Sequence, residues 1–321
     1  MKKVLFIGGT KFIGAMLVDK FIEDNAEIYI FSRSEPKNDN VHFIQGDRNN
    51  IEDIEKLKSS IKDMVFDLVY DMCCYTPSQA EAIIDILSPH TKHLIFFSSA
   101  AVYAKTEHFP LNEGSKLGEH SSFGDYGTNK AAIEKIYTDA CDNYNIRLTI
   151  FRPHYILGVG DYFMRHQYLF SRIEKGLDID LPGNGEALVQ FAYAPDVASL
   201  FHSVPEKQST QLDIVNIATK EMMTLVGVTQ LFANAAKSHG NVRNVDYEKY
   251  GLHEQSFYDN YFPFPNLNLV LDVNHAEKVY NHTGTRLETY IDILYKDWVN
   301  NAQGYKIVPT PFDKAPKPSL A

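Results

Sequence analysis

The sequence predicts an α/β fold: a doubly wound parallel sheet with a smaller C-terminal part. Three observations carry that expectation. Apolar runs of strand length alternate with helical patterns from residue 4 to about 155, and such alternation builds parallel sheets through right-handed crossovers. The first run, Val4-Leu5-Phe6-Ile7, is uninterrupted, as a strand buried on both faces requires. From about residue 156 the strict alternation ends, beginning a region of different organisation.

The first strand runs directly into Gly8-Gly9, and Phe12, Ile13, Leu17 and Phe21 then recur at helical spacing. A buried strand, a glycine turn and a helix opening are the parts of a dinucleotide site. The turn brings bare backbone close to a pyrophosphate, and the helix N-terminus offers it N–H groups and a positive dipole end. Glycines at 8, 9 and 14 miss the G-x-G-x-x-G spacing. The G-x-x-G-x-x-G variant fits at Gly8 and Gly14, with Lys11 in the middle. The candidate contacts are Gly8, Gly9, Thr10, Lys11, Phe12, Ile13 and Gly14. A strand, turn and helix holding no ligand is the alternative, so the site needs support from elsewhere in the chain.

Residues 28–31 (IYIF) read as the second strand, whose end meets the adenosine ribose in this architecture. A carboxylate there would bind the 2′-hydroxyl of NAD. This chain has Ser32-Arg33-Ser34, and a guanidinium binds a 2′-phosphate through paired hydrogen bonds, which favours NADP(H) over NAD. A solvated charge after a strand is the plainer alternative for Arg33.

A third strand at 41–44 is followed by Gly46-Asp47-Arg48. Asp47 suits the adenine amino group, and Arg48 suits the ring or a phosphate. Alternatively, both are local charges before a helix at 51–57 that Asn49 or Asn50 caps. A fourth strand at 66–70 ends at Asp71-Met72-Cys73-Cys74, where backbone passes near the cofactor. Cys73 is a contact candidate, although small packing residues are the commoner meaning of such thiols. A helix over 77–87 and a fifth strand at 93–97 lead into Ser98-Ser99-Ala100-Ala101-Val102-Tyr103.

The chemical centre is Tyr126-Gly127-Thr128-Asn129-Lys130. On a continuing helix, Tyr126 and Lys130 lie one turn apart on one face. A phenol has an ordinary pKa of about 10, too high for an efficient proton shuttle at neutral pH. A neighbouring ammonium stabilises the phenolate and lowers that value. A serine at the adjacent strand end, Ser99, can hold the substrate oxygen while the tyrosine moves its proton. A lone Y-x-x-x-K is common by chance. It gains weight from the Ser-Ser strand end upstream and from the glycine turn.

With those residues the chain resembles the extended short-chain dehydrogenase/reductases, the NAD(P)-dependent epimerase/dehydratase family. Gly8 through Gly14 resembles its cofactor turn. FFSSAAVY (96–103) resembles its serine strand, with Ser99 at the catalytic position, and Tyr126 and Lys130 match its tyrosine–lysine pair. Arg152-Pro153 and the stretch 190–198 (QFAYAPDVA) resemble later blocks, and 271–298 resembles its C-terminal helices. The resemblance implies a Rossmann-type dinucleotide-binding domain over 1–155, to which 189–218 returns. It implies a substrate domain built from 156–188 and 219–321. It also implies that Pro153 borders the cofactor, and that the helices at 77–87 and 126–141 form a homodimer interface.

Departures narrow the reaction. Dehydratases of the family place an Asp-Glu pair after the catalytic hydroxyl residue, and this chain has Ala100-Ala101. Nucleotide-sugar epimerases usually carry an arginine at the position of Val189, and often an asparagine in the segment now His154-Tyr155-Ile156. His154, Arg165 and His166 are therefore substrate candidates. The last two lie, with Arg172, on a helix expected at 162–173 whose charges are either anion ligands or a polar face. The basic residue within GGTKFIG, and YFPFP at 261–265, resemble a subgroup that includes the chloroplast stem-loop-binding proteins.

The leading expectation is an enzyme acting at a secondary alcohol or ketone of a sugar-like substrate, by epimerisation. An NADPH-dependent ketone reductase is second, and a non-catalytic cofactor-binding or RNA-associated module third. A net charge of −10 argues against general nucleic-acid or anionic-membrane binding. Three cysteines make no disulfide framework, and a cytoplasmic location is expected. No metal site is expected. Aromatics of the second half, among them Phe163, Tyr168, Phe257, Tyr258, Tyr261, Phe262 and Phe264, either line a cleft or pack a core. The proline-rich tail at 309–321 is expected to be extended.

Overall fold

The computed structural model describes residues 1–119, 122–207, 210–239, 241–253, 261–303, 305–306, 310 and 313. Phe257, Tyr258 and the tail from 309, apart from Thr310 and Asp313, lie outside the described residues.

Seven parallel strands form the central sheet: β1 (Lys3–Ile7), β2 (Glu27–Ser32), β3 (His42–Gln45), β4 (Leu68–Asp71), β5 (His93–Phe97), β6 (Arg147–Pro153) and, late in the chain, β11 (Leu212–Ile217). Their spatial order is β3-β2-β1-β4-β5-β6-β11. The chain thus winds one way from β1 and then returns to wind the other, confirming the doubly wound α/β fold. Val4, Leu5 and Phe6 are wholly buried, which is why their run lacks polar alternation. Helices α1 (Ile13–Glu23), α2 (Ile51–Ile61), α3 (Pro77–Leu87) and α4 (Asp125–Tyr144) cross between the strands. Asn50 caps α2 by accepting from the Glu52 and Asp53 N–H groups (2.8 and 3.3 Å). Thr76 caps α3, with Pro77 in its first turn, where a missing N–H costs nothing.

Past β6 the chain forms short strand pairs. These are β7 (Tyr155–Leu157) with β10 (Phe191–Tyr193), β8 (Ile179–Pro182) with β13 (Val242–Val245), and β9 (Leu188–Val189) with β12 (Met223–Thr224). With α5 (Arg165–Glu174), α7 (Leu225–Ala235) and α9 (Leu287–Asn301) they enclose a separate apolar core. Tyr168, Phe262 and Phe264 are buried there, whereas Phe163 stays 58% exposed. Helices α6 (Ala194–Lys207) and α8 (Asn274–Tyr280) instead pack on the sheet against α1 and β11. Within 219–321, α8 therefore joins the first lobe.

The helix expected from residue 162 starts at Arg165. Asp161 Oδ1 accepts from the Phe163 N–H (2.9 Å), and Met164 adopts a left-handed φ of 57°. That turn takes the backbone out of helical register. Among the described residues no helix is long and apolar enough to cross a membrane.

One buried polar network joins α4 to the ends of β5, β6 and β11. Arg152, at the end of β6, grips Glu134 of α4 with two hydrogen bonds (Nε–Oε1 3.0 Å, Nη2–Oε2 2.6 Å). Ser98 donates to the same carboxylate (2.5 Å), and Arg152 also donates to the Tyr103 hydroxyl and the Glu113 carbonyl. Tyr103 donates to Asn216 of β11 (2.6 Å). A buried carboxylate stripped of its partner is costly. Arg152→Met should lower the unfolding free energy by about 3–5 kcal/mol in urea denaturation. A loss under about 1 kcal/mol would show that the network does not tie these elements together.

Candidate active site

The strand order reverses between β1 and β4, and such a point leaves a crevice above the C-terminal strand ends. A cleft of about 930 Å³ lies there. One wall is the turn between β1 and α1. Gly8 and Gly9 hold φ of +82° and +85°, which side chains rarely adopt. A Cβ on Gly8 would stand 2.7 Å from Cys73 Sγ, and one on Gly14 would stand 2.3 Å from Gly9 Cα. Lys11 is exposed at the rim and leaves the turn open. Bare backbone, a helix N-terminus and the cleft's size fit the pyrophosphate of a dinucleotide.

The lining is cationic. Lys11, Arg33, Arg48, Lys130 and Arg165 border the cleft, against Asp47 as the lone carboxylate among the described lining residues. In a chain of net charge −10, that concentration favours an anionic ligand. Arg33 is largely exposed and lies 3.9 Å from Asp47. The Asn49 backbone N–H holds the Asp47 carboxyl below its ordinary pKa. Ser32 donates to the Ser34 carbonyl.

Arg48 also borders the cleft, but its guanidinium is committed. It pairs with buried Asp71 through both terminal nitrogens (2.7 and 3.0 Å) and donates to the Gln79 carbonyl (3.1 Å). Tyr137 of α4 donates to the same carboxylate (2.5 Å). Burial pushes Asp71 toward the neutral acid, yet Arg48 and Tyr137 outweigh it and keep the carboxyl below its ordinary range. Cys73 Sγ sits beneath Gly8, and burial raises its thiol pKa, so it packs as a thiol rather than a thiolate.

Ser99, Tyr126 and Lys130 line the same cleft. Ser98 turns inward to Glu134, leaving Ser99 facing the cleft, where its Oγ accepts from the Ala101 N–H (3.2 Å). Tyr126 is 41% exposed. Lys130 is buried; its Nζ donates to the Phe97 carbonyl (2.7 Å) and lies 5.9 Å from the Tyr126 ring centre. Burial lowers its pKa to about 8, against the pull of Cys74, Asp71 and Cys73. The helix carrying this pair docks closely, because a Cβ on Gly127 would stand 2.2 Å from the Ala101 carbonyl oxygen.

Pro153 at the end of β6, His154 just after it and Arg165 of α5 also line the cleft. His154 Nδ1 accepts from the Tyr155 N–H (2.7 Å), so Nε2 carries the proton donated to the Leu269 carbonyl (2.8 Å). Burial lowers its pKa to about 4, and the ring is neutral at pH 7. His166 is not brought to the cleft; it is buried against Asp297 of α9 (3.4 Å). Arg172 is likewise sealed among Asp180, Asp313 and the Asp178 carbonyl. Tyr75 and Tyr162 also line the cleft, although neither stood out in the sequence. Tyr75 lies 5.1 Å from Lys130 Nζ. Its place just past a parallel strand's C-terminal end was the available signal.

Residues 4–218 match the model of the NAD dependent epimerase/dehydratase family. The chain belongs to that family. It is 27% identical over 250 residues to the chloroplast stem-loop binding protein of 41 kDa b from Arabidopsis thaliana, covering 73% of this chain and 63% of that relative. The chain thus spans less than two thirds of that relative's length. Its fold is similar to dTDP-glucose 4,6-dehydratase of Bacillus anthracis in complex with NAD (TM-score 0.77, 16% identity, covering 95% of this chain and 99% of that one). It is also similar to UDP-glucose 4-epimerase of Thermotoga maritima with UDP-glucose (TM-score 0.76, 18% identity, covering 94% and 99%).

Because the folded pKa of Lys130 is depressed, the unfolded chain binds the extra proton between about pH 8 and the ordinary value of 10.5. Stability should therefore climb with pH across that window as the cost of the buried charge disappears. Denaturant melts of Lys130→Met should lack this climb. An equal climb in wild type and variant would mean that Lys130 is not the titrating group.

Proposed function

We propose that this protein uses a nicotinamide dinucleotide to oxidise and re-reduce a secondary alcohol on a sugar-like substrate, so that a carbon is epimerised. The observation that carries the reading is the convergence of Ser99, Tyr126 and Lys130 on the cleft that contains the glycine turn. Gly8, Gly9, Thr10 and Gly14 would hold the pyrophosphate, and Ser32 and Arg33 at the end of β2 favour NADP. When bound, the nicotinamide supplies a hydride acceptor and donor.

The chain's own residues do the proton chemistry. Ser99 Oγ holds the substrate oxygen. Tyr126 takes the hydroxyl proton during oxidation and returns it during reduction. The Lys130 ammonium favours the phenolate that this exchange requires. Elimination is disfavoured: Ala100 and Ala101 are buried and apolar, and Asp47, the lone carboxylate among the described lining residues, lies toward the Arg33 end.

Tyr126→Phe should cut dinucleotide-dependent turnover by roughly 10²–10⁴-fold while leaving dinucleotide affinity within about threefold. The assay screens a panel of sugars and nucleotide sugars for one the wild type converts. Near-wild-type conversion by the variant would refute the assignment. Net consumption of the reduced cofactor, in place of catalytic cycling, would identify a ketone reductase.

A further inference from the structure

Lys130 is a buried ammonium with few polar partners. The Phe97 carbonyl is its one hydrogen-bond acceptor among the described residues (2.7 Å). An ammonium has three donors, and taking its charge out of water is costly unless something replaces the hydration. Asp71 favours the charge, but that carboxylate is already occupied by Arg48 and Tyr137. Cys74 and Cys73 also favour it, and Arg48 opposes it. Burial raises both thiols, Cys74 to about 12, so at pH 7 neither carries a negative charge to pair with the lysine.

Aromatic rings supply what these groups do not. Lys130 Nζ lies 4.8 Å from the ring centre of Phe96, 5.1 Å from that of Tyr75 and 5.9 Å from that of Tyr126. A ring face within about 6 Å attracts a cation, and most strongly when the cation is desolvated. Phe96 is a fully buried core residue packed edge-on against Tyr137. Tyr75 is different: it is 44% exposed, borders the cleft and comes from the segment after β4. Its backbone N–H donates to Gln79 Oε1 (2.7 Å), and Gln79 Nε2 donates to Asn49 Oδ1 (2.8 Å), which ties that segment down. Burial raises the Tyr75 phenol, so the ring stays neutral and acts through its face.

We propose that Tyr75 is a positioning residue whose ring face holds Lys130 charged, extending to higher pH the range in which the lysine supports proton exchange at Tyr126. This rests on the reading of the cleft given above and adds the group that governs the state of its lysine. The test keeps the shape of the ring and changes its face. In the full chain, Tyr75→Phe is compared with Tyr75→pentafluorophenylalanine, whose fluorines reverse the ring quadrupole. Losing an attractive face lowers the folded pKa of Lys130 further. The climb of stability with pH should therefore begin about one pH unit lower in the fluorinated protein, and at the wild-type pH in Tyr75→Phe. On a substrate that the wild type converts, the alkaline arm of kcat/KM should move down by the same amount with the fluorinated ring and stay in place with Tyr75→Phe.

A climb that begins at the same pH with both rings would overturn the proposal, whatever reaction the protein catalyses. So would an alkaline arm that stays in place while the climb moves, because the contact would then have no part in the proton exchange. The climb needs no substrate, which separates the two readings. Near-wild-type turnover by Tyr126→Phe beside a displaced climb would refute the proton exchange and keep Tyr75 as the group that holds Lys130 charged.

Discussion

The site depends on how closely α4 can approach the turn that follows β5. Gly127 lies against the Ala101 carbonyl with no room for a side-chain carbon. That contact brings Tyr126 and Lys130 to the cleft that Ser99 also lines, although they come from different elements. Bidentate pairing of Glu134 with Arg152, and the Ser98 hydroxyl on the same carboxylate, holds the docking from the buried side. Of two adjacent serines, one is thereby turned inward as a tether and the other is left facing the cleft.

A second buried pair organises the opposite end. Asp71 receives Arg48 from beyond β3 and Tyr137 from α4, so the cleft wall near Arg48 and the helix that carries Tyr126 and Lys130 share one carboxylate. Lys130 senses that charge too, in opposition to the desolvation that lowers its pKa. Replacing this network with apolar side chains would be a smaller electrostatic burden for the fold. Its place beside the cleft ties the position of Arg48 to that of α4, which carries Tyr126 and Lys130.

Much of this was legible in the sequence because it is local. The uninterrupted run of β1, the proline-headed helix at 77–87 and the strand at 93–97 each declare themselves through period and capping. The glycine turn, the Ser-Ser strand end and the tyrosine–lysine spacing likewise lie within short windows. Long-range partners were not legible. The buried pairing of Arg48 could not be read because Asp71 and the Gln79 carbonyl are distant in sequence. His166 read as a cleft residue because its neighbour Asp297 lies on a helix 131 positions away. The start of α5 was misplaced because a left-handed Met164 has no sequence signature. Tyr162 gave no signal either, since the ring it packs against, Phe12, is distant in sequence.

The central claim is that the cleft is a dinucleotide site, and binding measures it most directly. Protein freed of nucleotide would be melted with NADP⁺, NADPH, NAD⁺ or NADH at matched concentrations, alongside Gly14→Val, whose side chain would collide with Gly9. At 100 times its Kd a bound dinucleotide adds roughly 2.7 kcal/mol, enough to raise the midpoint by several degrees. The account predicts such a rise for the wild type, larger with the NADP pair, and none for the variant. A wild-type protein that no dinucleotide stabilises would contradict it.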